Sequence, residues 1–170
     1  MSEIEFSRPT RVQPLPRDGL KIEIEANAAE RAALARLNRL PGIERLRASF
    51  QITKWRRGVQ VEGELSARVT QTCVVSLEPF DADIDEPIDA KFLPAEAMSA
   101  NPESIADEDA PDELIDGKID LGALASEFLA LALDPYPRKP GVAFEPPAQG
   151  NERESPFSRL RALGDNEEPD

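Results

Sequence analysis

Histidine is absent from the 170 residues, and with it go the commonest general base, HExxH zinc sites and every Ser-His or Cys-His nucleophile pair. A single cysteine, Cys73, allows neither an intrachain disulfide nor a thiolate cage for zinc within one chain. Glycine is scarce, 9 residues against 16 prolines, which points to punctuated, loop-bearing connections. No apolar run approaches the length needed to cross a bilayer, and Met1-Ser2-Glu3-Ile4-Glu5 carries neither a basic n-region nor an apolar h-region. A soluble cytoplasmic protein with no membrane partner is expected. What is present, 40% hydrophobic and 31% charged residues, suits one globular core. The expected organisation is a single α+β domain over residues 1–146 and a flexible polar tail over 147–170.

Basic charge is also in short supply, since the formal net charge is -13. Such a chain repels a polyanion unless its basic residues are segregated. They are: from Arg31 to Thr72 there are nine Lys/Arg against three Asp/Glu, and from Glu78 to Asp134 two against seventeen.

The first 19 residues carry Pro9, Pro14 and Pro16 and read as an extended segment that suits an edge strand. Leu20 to Ala26 alternates apolar and charged residues, the period of a strand with one wet face. A helix then starts at Asn27 with Glu30 completing a capping box. It places Ala29, Ala33, Leu37 and Leu40 on one face, and Pro41-Gly42 stops it. Leu46, Ala48, Phe50 and Ile52, then Val59, Val61, Leu65, Ala67 and Val69, alternate with polar residues on either side of Arg56-Arg57-Gly58, which predicts a long antiparallel hairpin. Ile84, Ile88, Ala90 and Phe92 predict a further strand, whose Pro87 suits an edge or a bulge. Residues 94–113 are acidic and unpatterned and read as a mobile loop. Asp120 caps a second helix over 121–133, with Leu121, Leu124, Phe128 and Leu131 as its apolar stripe, extended by Leu129 and Leu133. The fold class is therefore α+β: a largely antiparallel twisted sheet or partial barrel covered by two helices.

Three segments offer chemistry. Asp81, Asp83 and Asp85 share a strand face and would suit a magnesium ion in a carboxylate nuclease, although the EF-hand pattern fails at Glu86 and Phe92. A solvated strand face is the plainer reading. Cys73 has no histidine to activate it and reads as a partly buried structural thiol. The basic hairpin carries Arg45, Arg47, Lys54, Arg56, Arg57 and Arg68 with Trp55 beside its turn, a set able to contact phosphates and stack a base of single-stranded RNA. Equally, Trp55 could pack on a core edge while the arginines pair with acidic segments. Asp107, Glu108, Asp109, Asp112 and Glu113 could grip a basic protein or merely solvate the loop. No cofactor, metal or small-molecule substrate is expected.

The segment Val69-Thr70-Gln71-Thr72-Cys73-Val74-Val75-Ser76-Leu77-Glu78-Pro79-Phe80 resembles the C-x-x-C-L-E segment of the YceD family, named for large ribosomal RNA subunit accumulation. Ile119 to Gly141 is similar to that family's "IDLG…E…LALP" helix in its alphaproteobacterial form, and Ser155-Pro156-Phe157-Ser158-Arg159-Leu160 resembles the ending of that branch. The matching positions are Cys73, Leu77, Glu78, Asp120, Leu121, Gly122 and Pro135, and the likeness runs over roughly residues 10 to 162. The resemblance implies a non-catalytic factor in large-subunit ribosomal RNA accumulation or ribosome assembly. Its implied partners are ribosomal RNA or a pre-ribosomal particle, and a basic large-subunit ribosomal protein. Many relatives carry a second cysteine in the first motif and more after the helix, which would suit zinc. Here Ser76 and the cysteine-free stretch from Pro135 to Gly141 stand in those places, so metal binding does not carry over.

Overall fold

The structure is a computed structural model and describes residues 5–98 and 110–143. The chain divides at Pro140/Gly141, and all the elements below lie before that point. The fold is α+β. In chain order it has β1 (Pro9–Arg11), β2 (Leu20–Glu25), α1 (Ala28–Leu37), β3 (Gly42–Trp55), β4 (Gly58–Thr72), β5 (Pro79–Leu93), α2 (Ala95–Met98), β6 (Asp112–Glu113), β7 (Lys118–Asp120) and α3 (Leu121–Ala132).

The main sheet has the order β2-β3-β4-β5-β6, antiparallel except for the short β5/β6 pair, and it does not close into a barrel among the described residues. The expected hairpin is β3 and β4, in register from Trp55↔Gly58 back to Gly42↔Thr70 with one irregularity between Ile43 and Arg45. Its apolar positions fall on one face, where Leu46, Phe50, Ile52, Val61, Leu65 and Val69 are buried. α1 and α3 pack on that face, α1 against β3 and α3 against β4 and β5. The opposite face carries the alternate polar residues. Among the described residues β5 has β4 on one side only at Pro87, so the proline occupies an edge strand, as suits a residue with no N–H.

The leading segment does not join the main sheet. β1 pairs with β7 in a separate two-stranded ladder, and the flanking Phe6 and Val12 are buried. Two expectations need correcting. The face of α1 that is buried holds Leu34 and Ala35, not Ala29, Ala33 and Leu37; Leu37 is 59% exposed. In an alanine-rich helix of three turns no stripe is strongly marked, so the packing against β3 chooses the face. In α3 the buried side chains are Leu121, Leu124, Ala125 and Leu129, Phe128 is partly buried, and Leu131 is 79% exposed. The helix is apolar nearly all round, so periodicity alone could not orient it. The stretch 94–113, expected as a mobile loop, holds two short elements among its described residues. Pro94 opens the single turn of α2, accepting from the N–H groups of Ala97 and Met98. Beyond it, Asp112 and Glu113 run parallel to Phe92 and Leu93 because Leu114 beside them is buried and donates its N–H to the Leu93 carbonyl. Residues 99–109 and the tail over 147–170 lie outside the described residues.

Candidate nucleic-acid interface

The seven residues of the basic hairpin set fall into two groups. Nine residues separate Arg47 from Arg56, about 30 Å along an extended strand, so the groups cannot act as one patch. The first group is on the wet face of the sheet, at the end remote from the hairpin turn. Arg47 pairs with Glu25 at 3.2 Å, and Arg68 reaches Glu44 at 3.1 Å, Asp83 at 3.2 Å and Asp81 at 3.8 Å. Arg45 stands directly opposite Arg68. Here the arginines are largely matched by carboxylates, the plainer of the two readings. An open depression of about 550 Å³ on this face is lined by Glu23, Glu25, Arg47, Ser49, Glu64 and Ser66 among others, a surface of mixed charge.

The second group is the hairpin tip. β3 runs up to Trp55, β4 leaves from Gly58, and the two residues between them, Arg56 and Arg57, make the turn with Arg56 at φ +50°. Lys54, Arg56 and Arg57 are exposed, and among the described residues none of them forms an ion pair. The Arg56 guanidinium carbon lies 4.5 Å from the centroid of the Trp55 ring. Lys91, from β5, places its Nζ 5.8 Å from the same centroid. Reasoning from sequence missed Lys91, which sits among aspartates; the signal that could have found it is the strand register, which sets Lys91 opposite Gln60 and so beside the hairpin tip. Gly58, facing Trp55, leaves no side chain between Trp55 and β5, and a Cβ there would come within 1.8 Å of the Phe92 carbonyl oxygen.

The acidic set divides too. Asp107, Glu108 and Asp109 lie outside the described residues, whereas Asp112 and Glu113 are exposed on β6. Burial, and next the Asp112 charge, raise the pKa of the Glu127 carboxyl on α3. Asp81, Asp83 and Asp85 do share the wet face of β5, but Asp81 accepts from Thr70 at 2.9 Å and Asp83 from Arg68. Among the described residues no group of three or more His, Cys, Asp or Glu could hold a metal ion. The nuclease alternative finds no support here.

Asp120 caps α3 by accepting from the N–H groups of Gly122 (3.0 Å) and Ala123 (3.1 Å), and holds the leading segment through the Arg8 N–H (2.7 Å) and the Ser7 hydroxyl (2.5 Å). Burial opposes its charge, but these four donors outweigh it and leave the carboxyl below its ordinary pKa. Leu121 is fully buried, and at Gly122 a Cβ would meet the Phe6 carbonyl oxygen at 2.7 Å. The first motif forms the β4–β5 turn, closed by Cys73 N–H to Glu78 O and Leu77 N–H to Cys73 O at 2.9 Å each, with Leu77 exposed at φ +60°. The residues after α3 come up to it: Val74 N–H bonds Pro137 O, Gln71 Nε2 reaches Asp134 O just ahead of exposed Pro135, and Lys139 Nζ meets Glu78 at 2.8 Å. That ion pair lowers the Glu78 pKa and raises that of Lys139.

Cys73 is fully buried. Its sulfur accepts from the Val75 and Ser76 N–H groups at 3.4 Å each. The Ser76 hydroxyl above all, then the backbone N–H groups of Ser76 and Lys139, bring its thiol pKa down to about 6. One thiol with a serine as its neighbour does not fit a four-ligand zinc site.

The described residues thus form an α+β sheet with an aromatic, cationic hairpin tip and hold no metal-ligating cluster. The chain belongs to the YceD family: the family described as "Large ribosomal RNA subunit accumulation protein YceD" matches residues 61–165. That match takes in both motifs, β4 from Val61 onward, β5 and α3. No curated protein and no solved structure matches the chain. No helix among the described residues is long and apolar enough to cross a membrane.

Proposed function

We propose that the chain is a non-catalytic, cytoplasmic factor in large-subunit ribosomal RNA accumulation that touches RNA directly through the tip of the β3–β4 hairpin. The family description supports the process. The observation that carries the molecular reading is the tip itself, where Lys54, Arg56 and Arg57 stand exposed without an acidic partner among the described residues, in a chain of net charge -13. Cations left uncompensated in so acidic a molecule suit phosphate, whose neutralisation releases counterions. The acidic segment with Asp107, Glu108, Asp109, Asp112 and Glu113 is read as receiving a basic ribosomal protein.

The test is affinity purification from cell extract with and without ribonuclease. Large-subunit ribosomal RNA is expected with the wild-type chain and not with the Arg56→Glu, Arg57→Glu double variant. Neutralising Asp107, Glu108 and Asp109 is expected to lose a basic ribosomal protein alone. Equal recovery of ribosomal RNA by wild type and the Arg56/Arg57 variant defeats the direct RNA contact.

A further inference from the structure

The chain has one tryptophan, and it stands where the β3–β4 turn and β5 bring two cations to it. Arg56 comes from the turn and Lys91 from β5, reaching the ring past Gly58. Lys91 lies 36 residues from Trp55 in sequence and belongs to a segment that is otherwise acidic. Packing of a core edge would need neither cation, because it is satisfied by apolar neighbours; Trp55 is only partly buried and its ring contacts here are charged. An indole with two cations beside it has a different use. Cation–π contact steadies the ring, a base stacks on it, and the same cations lie within reach of the phosphates on either side of that base. In a duplex the base faces are covered by their neighbours in the stack, so this geometry is open to an unpaired base alone.

We infer that the hairpin tip is a platform for single-stranded RNA, with Trp55 stacking a base and Lys91 acting beside Arg56 as a phosphate-binding residue. This rests on the reading that the chain binds RNA directly, and names the form of RNA it takes.

The lone tryptophan makes intrinsic fluorescence a reporter of this one place. The full chain is titrated with a single-stranded RNA of about eight nucleotides, within the range one such surface covers, and with a duplex of the same length. The single strand is expected to quench the fluorescence saturably and to bind about tenfold more tightly than the duplex. With the RNA labelled and followed by anisotropy, Trp55→Leu is expected to lose about tenfold in affinity, the scale of one stacked base. Lys91→Gln is expected to lower the slope of log K against log salt by about 0.7, one phosphate's worth, while Arg36→Gln, a matched loss of charge on α1, leaves it unchanged. Equal affinity for both forms with unchanged fluorescence overturns the platform and leaves direct RNA binding standing. Binding of neither form overturns both. If Lys91→Gln behaves as Arg36→Gln does, the assignment of Lys91 is wrong even where the single strand is preferred, and this variant decides the matter should Trp55→Leu fail to fold.

Discussion

Asp120 ties α3 to the leading segment through one carboxylate, since two of its four donors are N–H groups of α3 and the other two are the Arg8 N–H and the Ser7 hydroxyl. Arg8 continues the network: its guanidinium forks onto Glu30 at 2.7 and 3.0 Å, and Glu30 in turn accepts the Asn27 N–H of the α1 capping box. Asp120→Ala removes a helix cap and strands two further donors, so it is expected to cost about 2 to 3 kcal/mol in urea unfolding. Both carboxylates, Glu30 through its bond to Arg8 and Asp120 through its donors, have folded pKa values below their ordinary ones. A lowered carboxylate pKa stabilises the fold above the unfolded pKa, near 4, and that contribution is lost as pH falls through the folded value. Stability is therefore expected to fall below about pH 4, less steeply in Asp120→Asn than in wild type. A variant whose acid limb matches wild type would show that Asp120 carries no charge-dependent stabilisation. Cys73 gives a second test, because its donors hold the thiol near 6. Thiolate absorbance in the native protein should appear with a midpoint about that value, and a midpoint at the ordinary thiol value of about 8.5 would mean that the N–H groups do not aim at the sulfur.

α3 shows what a sequence can and cannot disclose about an element. Its limits were readable, Asp120 as cap and Asp134-Pro135 beyond the end, because capping is local chemistry carried by neighbouring residues. Its orientation was not. Leu124, Leu129 and Leu131 are all apolar, and only the sheet beneath decides that Leu129 is buried and Leu131 is in water. Leu129→Ala is accordingly expected to cost about 2 to 5 kcal/mol, whereas Leu131→Ser should stay within about 0.5 kcal/mol of wild type. Phe128, only partly buried, should lose less on truncation than the about 3 to 5 kcal/mol of a fully enclosed ring. Comparable losses at 129 and 131 in urea unfolding would place the helix on the wrong face. The strands were easier, since a period of two with one wet face leaves a single choice of register in β3, β4 and β5. β6 and β7 escaped notice because ladders of two and three residues have no period to read. The candidate site was legible in the same uneven way: Trp55, Arg56 and Arg57 follow from the turn, but Lys91 joins them only through a pairing between distant segments.

At the scale of the whole molecule, the division of charge along the chain does not become a division into two surfaces. β4 and β5 lie side by side, so Arg68 from the basic stretch meets Asp81 and Asp83 from the acidic one, and the two stretches partly neutralise each other within the sheet. Among the described residues the cations that form no ion pair include Lys54, Arg56 and Arg57 at the hairpin tip, where β5 adds Lys91 beside Trp55. Electrostatic attraction to RNA should then depend on position and not on the number of basic residues. Charge reversal at Arg56 and Arg57 is expected to weaken binding of a ribosomal RNA fragment about tenfold or more and to flatten its salt dependence between about 50 and 200 mM, the window in which phosphate contacts declare themselves. Replacing Arg47 and Arg68 by Gln removes two positive charges that carboxylates already match, so the affinity is expected to stay within about twofold and the salt slope to be unchanged. The contrast separates a local site from a diffuse field, because a molecule answering only to net charge would respond to each pair of substitutions in proportion to the charge removed. A flattening of the salt slope by the Arg47/Arg68 variant about half as large as that by the tip variant, in proportion to two charges removed against four, would therefore defeat the assignment of RNA contact to the tip.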